Sequence, residues 1–376
     1  MSKPNPHSPL KLGLIGTGNR MTHMHFPVLE KLSESYTVVG CYSPSESSRR
    51  EFTQNTGVPS FNSVDELVRG TAPDALLVSV HPTRNENVAD DLLDLGIPLL
   101  LETPLAWSAR TGNRLVRKAM ARTTPIFVLE QFPYLPIEAF KKQLLDSGVI
   151  GRPYAASMDL AYFDYHGLSV LLGYFSQGRV VSVSSSRTTF PLSIGGFRPN
   201  ERLTWTNAHI QFDDGSLAIF NYSSQAATSP IGGPRRIVIY GDKGFLTNDL
   251  LVLRDTADTA SESRIIETRS PSGEIQHIAL DGADIAKHTW SNSWAGSNFN
   301  DEQIAVASLL KSVAGKLASE VTRKEYSADF QQVLNLSTSM DMSERYSGKR
   351  LPVPMAAPEW ILRKLLAKFR SLPKRH

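Results

Sequence analysis

The first third of the chain alternates short, wholly apolar runs with segments in which apolar residues recur at helical spacing. A strand that is apolar along its whole length is buried on both faces, and parallel neighbours need a crossover helix between them. The pattern therefore predicts a doubly wound α/β domain with a parallel sheet over residues 1–130. Its strands are expected at residues 12–15, 37–42, 74–80, 97–102 and 125–130.

The pattern changes after a further predicted helix over residues 137–147. From there on, runs rich in β-branched and aromatic residues are broken by turn sequences such as Asp214-Gly215 and Asp242-Lys243-Gly244. These are strand and hairpin signals. Residues 131–355 are therefore predicted to form an α+β domain on a mainly antiparallel sheet, with a late helix over residues 301–314. The polar, serine-rich residues 254–275 are expected to form an excursion between strands.

The end of the chain, residues 356–376, reads as a basic amphipathic helix, with "EWILRKLLAKFR" at its centre. Such a helix can lie on an anionic membrane surface or contact another protein. It can equally pack against its own chain or a second copy. The pattern leaves these alternatives open.

Composition narrows the classes of protein. The 376 residues carry 40 Lys and Arg against 37 acids, an imbalance too small to indicate a nucleic-acid partner. The single cysteine, Cys41, excludes an intramolecular disulfide framework and a multi-cysteine metal site. No secretory signal or membrane-length apolar run is legible, and we expect a cytoplasmic protein. His23 and His25 lack a third ligand at suitable spacing, so no metal site is expected.

A glycine turn follows the first strand. In "LIGTGNRMTHMHFP", Gly16, Thr17 and Gly18 are followed by Asn19 and Arg20 and then by a helix predicted over residues 21–32. Backbone N–H groups in such a turn, together with the helix N-terminus, suit a pyrophosphate, and this predicts a Rossmann-type dinucleotide site. The alternative is an ordinary strand-to-helix turn. Met21 stands in place of the third glycine, so the helix is expected to lie slightly further from the sheet or the phosphate.

The end of the second strand bears on which dinucleotide is bound. An acidic residue there would hydrogen-bond the adenine ribose of NAD, but Ser43 occupies the place. No carboxylate would repel a 2′-phosphate, and nearby serines and arginines, at positions 45, 47, 49 and 50, could approach one. The cofactor is therefore NAD or NADP, with NADP permitted. Arg49 and Arg50 are equally consistent with two surface arginines.

The order of these motifs resembles the Gfo/Idh/MocA oxidoreductases over roughly residues 11–352. The resemblance rests on "GLIGTGNRMTHMHFPVL", "PDALLVSVHPTRNENVADDLLDLGIPLLLETPLA", "LLDSGVIGRP", "RRIVIYGDKGFL" and "NDEQIAVASLLKSV". It implies a Rossmann domain followed by an α+β domain built on an open antiparallel sheet. It also implies a homo-oligomer formed through that sheet, and a small-molecule substrate.

The family's proton-handling residues match only in part. Its usual Glu-Lys-Pro reads Glu102-Thr103-Pro104 here, so a threonine replaces the lysine. A common histidine is replaced by Asn85, whereas His166 in "YFDYHGLSVLLGYF" matches. The acid expected three residues later is Ser169. The resemblance implies that His166 is catalytic, with Tyr162, Tyr165 or Asp164 able to assist.

The remaining candidates line the carboxyl ends of the strands, where open α/β sheets bind ligands. A cofactor-binding role is predicted for the glycine turn with its following helix, for Ser43, for the loop after the third strand and for the ends of the fourth and fifth strands. These residues are Gly16, Thr17, Gly18, Asn19, Arg20, Ser43, Val80, His81, Pro82, Asn85, Glu102, Thr103 and Glu130. Gln131 is expected to face the same cleft, and a capping or hinge role for Glu130 is equally consistent.

Three functions follow from these residues. The first is an NAD(P)-dependent oxidoreductase of a sugar-like or other small hydroxyl or carbonyl substrate, with His166 as proton donor or acceptor. The second is a cofactor-binding regulator or complex subunit without turnover, favoured by the changes at Thr103, Asn85 and Ser169. The third is a non-redox enzyme that holds NAD tightly.

Overall fold

The structure is a computed structural model. It describes residues 8–162, 164–175, 178–192, 202–223, 225–226, 229–230, 232–256, 258–281, 288–318 and 328–353. The predicted basic helix at residues 356–376 lies outside the described residues.

A parallel five-stranded sheet forms the first layer, in the order β2-β1-β3-β4-β5. Its strands are almost wholly buried, as their apolar sequences require. The chain order reverses beside β1, which places a crevice at the carboxyl ends of β1 and its neighbours. The strands are β1 (Leu10–Ile15), β2 (Tyr36–Tyr42), β3 (Ala75–Val78), β4 (Leu99–Leu101) and β5 (Ile126–Val128).

Helices connect these strands. A π-helical turn (Met21–His25) precedes α1, and Ser45, Ser63 and Ser108 cap α2, α3 and α5 by accepting backbone N–H groups. Serine at this position satisfies N–H groups that have no partner inside the helix. The helices are α1 (Phe26–Lys31), α2 (Glu46–Thr56), α3 (Val64–Thr71), α4 (Pro82–Leu93) and α5 (Ala109–Arg122).

An eleven-stranded sheet forms the second layer, in the order β15-β14-β13-β12-β11-β10-β6-β9-β8-β7-β16. Its pairs are antiparallel except for the parallel pair of β6 and β9. The strands are β6 (Pro153–Asp159), β7 (Val180–Thr189), β8 (Thr204–Phe212), β9 (Leu217–Tyr222), β10 (Arg236–Gly241), β11 (Gly244–Thr247), β12 (Leu250–Arg254), β13 (Ala260–Arg269), β14 (Ile275–Leu280), β15 (Thr289–Ser291) and β16 (Leu351–Pro352).

Four helices and a short 3-10 turn (Phe132–Tyr134) lie between the two sheets in the described residues. Helix α7 packs on β6 and β9, α9 packs on β7, and α6 contacts β14 and β15. The first turn of α8 reaches the π-helical turn of the first layer. The helices are α6 (Pro136–Asp146), α7 (Asp164–Tyr174), α8 (Asp301–Ala318) and α9 (Ala328–Arg345).

The predicted fold class is confirmed: a parallel Rossmann sheet is followed by a mainly antiparallel one. Helices α3, α7 and α9 were not predicted: α7 and α9 have no clear apolar stripe in the sequence, whereas α3 is only eight residues long although Val64, Leu67 and Val68 stand at helical spacing. Residues 254–275 are not an excursion for most of their length, since they contain β13. This strand is exposed at most positions, which explains its polar composition. The domain limits 1–130 and 131–355 remain predictions.

No helix among the described residues is both long and apolar enough to cross a membrane. Cys41 is buried, and burial raises the pKa of its thiol to about 11. The expected cytoplasmic location remains a prediction.

Candidate functional site

The candidate site lies where β1, β3, β4 and β5 end. The first residues after these strands are Gly16, Ser79, Glu102 and, one residue further on, Glu130. Hydrogen bonds across the strand ends hold the four segments in register: Ser79 N donates to Ile15 O (2.9 Å) and Glu102 N to Val78 O (3.0 Å). The predicted cofactor residues therefore share one edge of the sheet.

The glycine turn has no room for a side chain at its first glycine. Gly16 has a φ of 94°, and a Cβ there would lie 2.1 Å from the carbonyl oxygen of Ser79 and 3.4 Å from Val80. A Cβ at Gly18 would meet nothing within 4 Å. The turn thus brings backbone against the strand at one glycine and leaves open space at the other. Such a cradle, with a helix N-terminus behind it, fits a pyrophosphate.

Met21 changes the helix that follows the turn. Its side chain is 0% exposed and enters the apolar core. Met21 is the first residue of a π-helical turn, a type of turn that is frequent at functional sites. His25 ends this turn and is fully buried, with its imidazole against β4.

Glu102 is the centre of a buried polar network. Its Oε1 accepts hydrogen bonds from His25 Nε2 (2.6 Å) and Arg20 Nε (2.7 Å), and its Oε2 accepts one from Thr103 N (3.1 Å). Arg20 also forms an ion pair with Glu302 on α8 (2.6 Å), whose Oε1 accepts a hydrogen bond from Gln131 (2.8 Å). The network therefore joins the glycine turn, β4, the end of β5 and the second layer.

The pKa of Glu102 reflects two opposing effects. Burial alone raises the pKa of this carboxyl, but the hydrogen bond and charge of His25 and Arg20 outweigh it and lower the pKa to about 2. The carboxylate is therefore ionised at any physiological pH.

Asn85 fixes the segment that carries Thr103. Its side-chain amide donates to the carbonyl oxygens of Glu102 (2.7 Å) and Pro104 (2.8 Å), and the residue is 1% exposed. The Thr103-Pro104 peptide bond between them is cis. An amide side chain with two donors on one nitrogen suits this task.

A chain of side-chain contacts runs from Thr103 through Tyr165 and His166 to Glu130. The Tyr165 hydroxyl forms a hydrogen bond with the Thr103 side chain, and its neighbour His166 is buried. His166 Nδ1 donates to both oxygens of Glu130, at 2.9 and 2.8 Å, and its ring stacks on Phe132 at 4.1 Å between centroids. Burial raises the pKa of Tyr165 to about 12, although the Thr103 hydrogen bond opposes the shift. Tyr165 therefore stays protonated at neutral pH.

Tyr162 and Asp164 lie apart from this group. The Tyr162 hydroxyl donates to Glu138 (2.8 Å), which is also ion-paired with Lys141 (2.9 Å) in a buried cluster. Burial, a nearby Asp341 and other charges act on Asp164, and the net effect is to raise the pKa of its carboxyl. Its electrostatic neighbours Asp341 and Arg187 belong to α9 and β7, on the side of the large sheet.

The loop after β3 is more exposed. His81 caps α4, its side chain accepting the backbone N–H of Thr83, and Pro82 is the first residue of that helix. Val80 lies against the glycine turn. Asn19 carbonyl oxygen accepts a hydrogen bond from His23, one turn further along the helix.

A cavity of about 380 Å³ adjoins Glu130 on α7 and α8, with Ser169, Leu172 and Leu309 among its lining residues. None of the described residues that line it belongs to the glycine turn or to residues 102–104. No group of three or more potential metal ligands occurs in the part of the chain that the structure describes.

Comparison with known proteins agrees with this geometry. A family model for oxidoreductases with an NAD-binding Rossmann fold, Gfo/Idh/MocA, matches residues 10–129. This segment, about a third of the chain, is similar to the Gfo/Idh/MocA oxidoreductases. The expected resemblance is confirmed over these residues, which match the family's NAD-binding Rossmann fold.

Curated relatives match over part of their length. The uncharacterized protein YMR315W of Saccharomyces cerevisiae is 23% identical over 147 residues, which cover 38% of this chain and 42% of the relative. Oxidoreductase P35 of Formosa agariphila is 25% identical over 154 residues, which cover 41% of this chain and 48% of the relative. The matched segments thus span less than half of either relative.

Solved structures extend the likeness in fold to the whole Gfo/Idh/MocA architecture. The WlbA dehydrogenase from Bordetella pertussis, in complex with NADH and UDP-GlcNAcA, aligns with a TM-score of 0.67 at 18% identity over 93% of this chain and 99% of that one. The transcriptional regulator Gal80p from Kluyveromyces lactis aligns with a TM-score of 0.68 and 15% sequence identity. The alignment covers 94% of this chain and 96% of Gal80p. An inositol dehydrogenase homolog from Azotobacter vinelandii aligns with a TM-score of 0.63 and 14% sequence identity. The alignment covers 92% of this chain and 98% of the homolog.

Sequence reasoning missed two members of the candidate site. Glu302 lies 171 positions from Gln131 and 282 positions from Arg20, and only its place in the first turn of a predicted helix marked it. Phe132, which stacks on His166, follows Gln131 in an apolar stretch with no distinguishing pattern.

Glu102 makes stability depend on acid pH. Its folded pKa lies below its ordinary value, so the ionised carboxylate stabilises the fold above about pH 4.5, and this contribution disappears as the pH falls toward 2. We expect Glu102→Gln to lower the free energy of unfolding at pH 7 by up to about 3 kcal/mol. The difference from wild type should shrink at pH 3, as measured by urea unfolding.

Glu34→Gln is the matched control, because Glu34 is exposed. Its difference from wild type should stay small at both pH values. A Glu102→Gln difference that stays constant with pH would contradict the lowered pKa.

Proposed function

We propose that this protein is an NAD(P)-dependent oxidoreductase that acts on a small substrate with a hydroxyl or carbonyl group. The observation that carries the proposal is the buried His166–Glu130 pair, in which one imidazole nitrogen contacts both carboxylate oxygens. It stands at the same sheet edge as the glycine turn. Hydride transfer at a carbon that bears oxygen needs a group that gives or takes the oxygen's proton.

The cofactor would be held by the first layer. The N–H groups of the glycine turn and the first helical turn, with Asn19 and Arg20, would bind the pyrophosphate, while Val80, His81 and Pro82 would line the path to the nicotinamide. Thr103 would lie at the nicotinamide end. When bound, the cofactor supplies the hydride donor or acceptor.

His166 would move the proton. Glu130 would fix the orientation of the ring by accepting from Nδ1. The proton would then be exchanged with the substrate at Nε2. Stacking on Phe132 restricts rotation of the ring. This arrangement supplies an acid and base without the family's lysine.

Tyr165 would orient the substrate oxygen. Its raised pKa suits a neutral hydrogen-bond donor rather than a base, and its hydrogen bond with Thr103 sets the direction of the hydroxyl. In this assignment Tyr162 acts only through Phe132, which it contacts edge-on at 5.5 Å between centroids, and Asp164 begins α7, the helix that carries His166. A sugar-like substrate is consistent with the UDP-GlcNAcA and myo-inositol complexes of two structural neighbours.

A variant pair tests cofactor binding apart from folding. Gly18→Ala places a methyl group in the open cradle where no protein atom lies within 4 Å. It should leave the unfolding midpoint nearly unchanged but weaken dinucleotide binding about tenfold or more, since the phosphate loses close approach to the backbone. Isothermal titration calorimetry with NADH and NADPH measures this.

Gly173→Ala on α7 is the control, because its Cβ would also meet nothing within 4 Å and it lies away from the turn. It should bind dinucleotide like wild type. If Gly18→Ala binds the dinucleotide as tightly as wild type, the glycine turn is not part of the cofactor site.

A second set of variants tests the proton transfer. With a substrate found by screening polyols, aldoses and their oxidised forms, His166→Ala should lower kcat by about 10²–10⁴-fold. Glu130→Gln should lower kcat less, because the imidazole loses the carboxylate that accepts from its Nδ1 and orients the ring. Ser169→Ala, one turn along α7, should remain near wild type. Unchanged turnover in His166→Ala would refute the assignment.

One observation favours a second function, a cofactor-binding regulator without turnover. The Glu102 carboxylate is fully engaged with His25 and Arg20, and Thr103 offers no ionisable group. Gal80p, a regulator, has a similar fold. Transfer of a deuterium label from nicotinamide to any substrate would exclude this alternative. NAD that co-purifies with the protein, together with turnover that leaves the cofactor unchanged overall, would instead indicate the non-redox enzyme.

We also propose that two copies pair through the large sheet. Tyr240, Ala155 and Leu217 are cross-strand neighbours and share one face, on which Tyr240 and Leu217 are exposed by 39% and 43%. Exposed apolar patches of this kind mark interaction surfaces. Light scattering of the full chain should give a dimer or larger, and Tyr240→Glu with Leu217→Glu should reduce it to a monomer. A monomeric wild type would contradict the proposal.

A further inference from the structure

We propose that the cofactor is NADP(H) rather than NAD(H), and that Arg49 and the serines around it bind its 2′-phosphate. The inference rests on the proposed cofactor function and concerns the adenosine end of the same site. The observation behind it is a buried arginine, Arg49, with which no carboxylate forms an ion pair in the part of the chain that the structure describes.

The adenine ribose of a dinucleotide lies beyond the end of the second strand of this fold. In this chain β2 ends at Tyr42 and the next residue is Ser43, which is 9% exposed. A carboxylate at this place would accept hydrogen bonds from both ribose hydroxyls and would repel a phosphate. Ser43 does neither, and its small side chain leaves the position open to a larger group.

Arg49 brings a positive charge to the same position. Its guanidinium donates to the carbonyl oxygens of Ser43 and, at 3.4 Å, Pro44, and to Asn62 Oδ1 at 3.3 Å, and it lies 6.0 Å from the centre of the Tyr42 ring. The residue is 9% exposed. All these partners are neutral.

The charge of Arg49 is not balanced locally. Among the described residues no carboxylate forms an ion pair with Arg49, whereas its neighbour Arg50 pairs with Glu46 in solvent. Buried charges are costly unless an opposite charge accompanies them. A phosphate ester with about two negative charges beside Ser43 would supply that balance and accept further guanidinium N–H groups.

The start of α2 adds donors beside Arg49. Ser45 caps this eleven-residue helix, and its hydroxyl lies 3.0 Å from that of Ser47. Ser48 bonds to Thr17 of the glycine turn at 2.7 Å between hydroxyl oxygens. The positive end of the helix favours an anion here, and the Ser48–Thr17 contact holds this end of the site in fixed relation to the pyrophosphate cradle.

The test measures binding by isothermal titration calorimetry of the full chain with NADPH and NADH separately. Wild type should bind NADPH about tenfold or more tightly than NADH, the effect expected when charged hydrogen bonds to one phosphate are gained. Raising the salt concentration should weaken NADPH binding more than NADH binding.

Three variants assign the preference to its residues. Arg49→Met should weaken NADPH binding about tenfold or more and leave NADH binding within a few-fold. Ser43→Asp should reverse the preference, because it restores the carboxylate. Arg50→Gln is the matched control, since its side chain is exposed and already paired, and it should keep the wild-type ratio.

The outcomes separate this inference from the function on which it rests. If wild type binds NADH as tightly as NADPH or more tightly, the inference is overturned and the cofactor function stands. If it binds neither, both fail. Circular dichroism will show whether Arg49→Met folds. If the folded variant binds NADPH and NADH equally more weakly than wild type, Arg49 only supports the loop. The Ser43→Asp variant then decides, because an unchanged preference for NADPH in that variant would overturn the role of this position.

Discussion

The ionised Glu102 carboxylate is the interaction on which the arrangement of the site depends. A buried negative charge is tolerated only if donors surround it, and here the donors come from His25, Arg20 and the adjacent backbone N–H of Thr103. Two of them lie on the helix that follows the glycine turn. The charge therefore determines how that helix approaches β4.

The Glu102 carboxylate is also connected to the second layer, through Arg20. Arg20 forms ion pairs with both Glu102 and Glu302, so one guanidinium joins β4 to α8. Because Gln131 also donates to Glu302, the end of β5 is tied to the same point. Glu130 and Phe132, which flank Gln131, then hold His166 beside Thr103. The position of the histidine thus depends on a chain of contacts that begins at Glu102.

The residues around Thr103 form a hydrogen-bonded arrangement that does not need a lysine at this position. A lysine would have added a positive charge next to Glu102, and in its absence His25 and Arg20 are the basic residues that pair with that carboxylate in the described network. Asn85 keeps the backbone of residues 102–104 in place with two amide hydrogen bonds. The backbone of residues 102–104 is therefore held in place without a lysine, and the ionisable pair His166–Glu130 lies on α7 and at the end of β5.

The sequence by itself determined the two sheets, the glycine turn and the set of residues at the strand ends, because apolar periodicity and turn residues act over a few positions. It also indicated His166 and the absence of an acid at Ser43. Only the tertiary structure decided which side chains meet: His166 with Glu130, Tyr165 with Thr103, Arg20 with Glu302, and Arg49 with neutral partners alone. These pairings join residues up to 282 positions apart, and they depend on the packing of separate elements, which local sequence patterns do not encode.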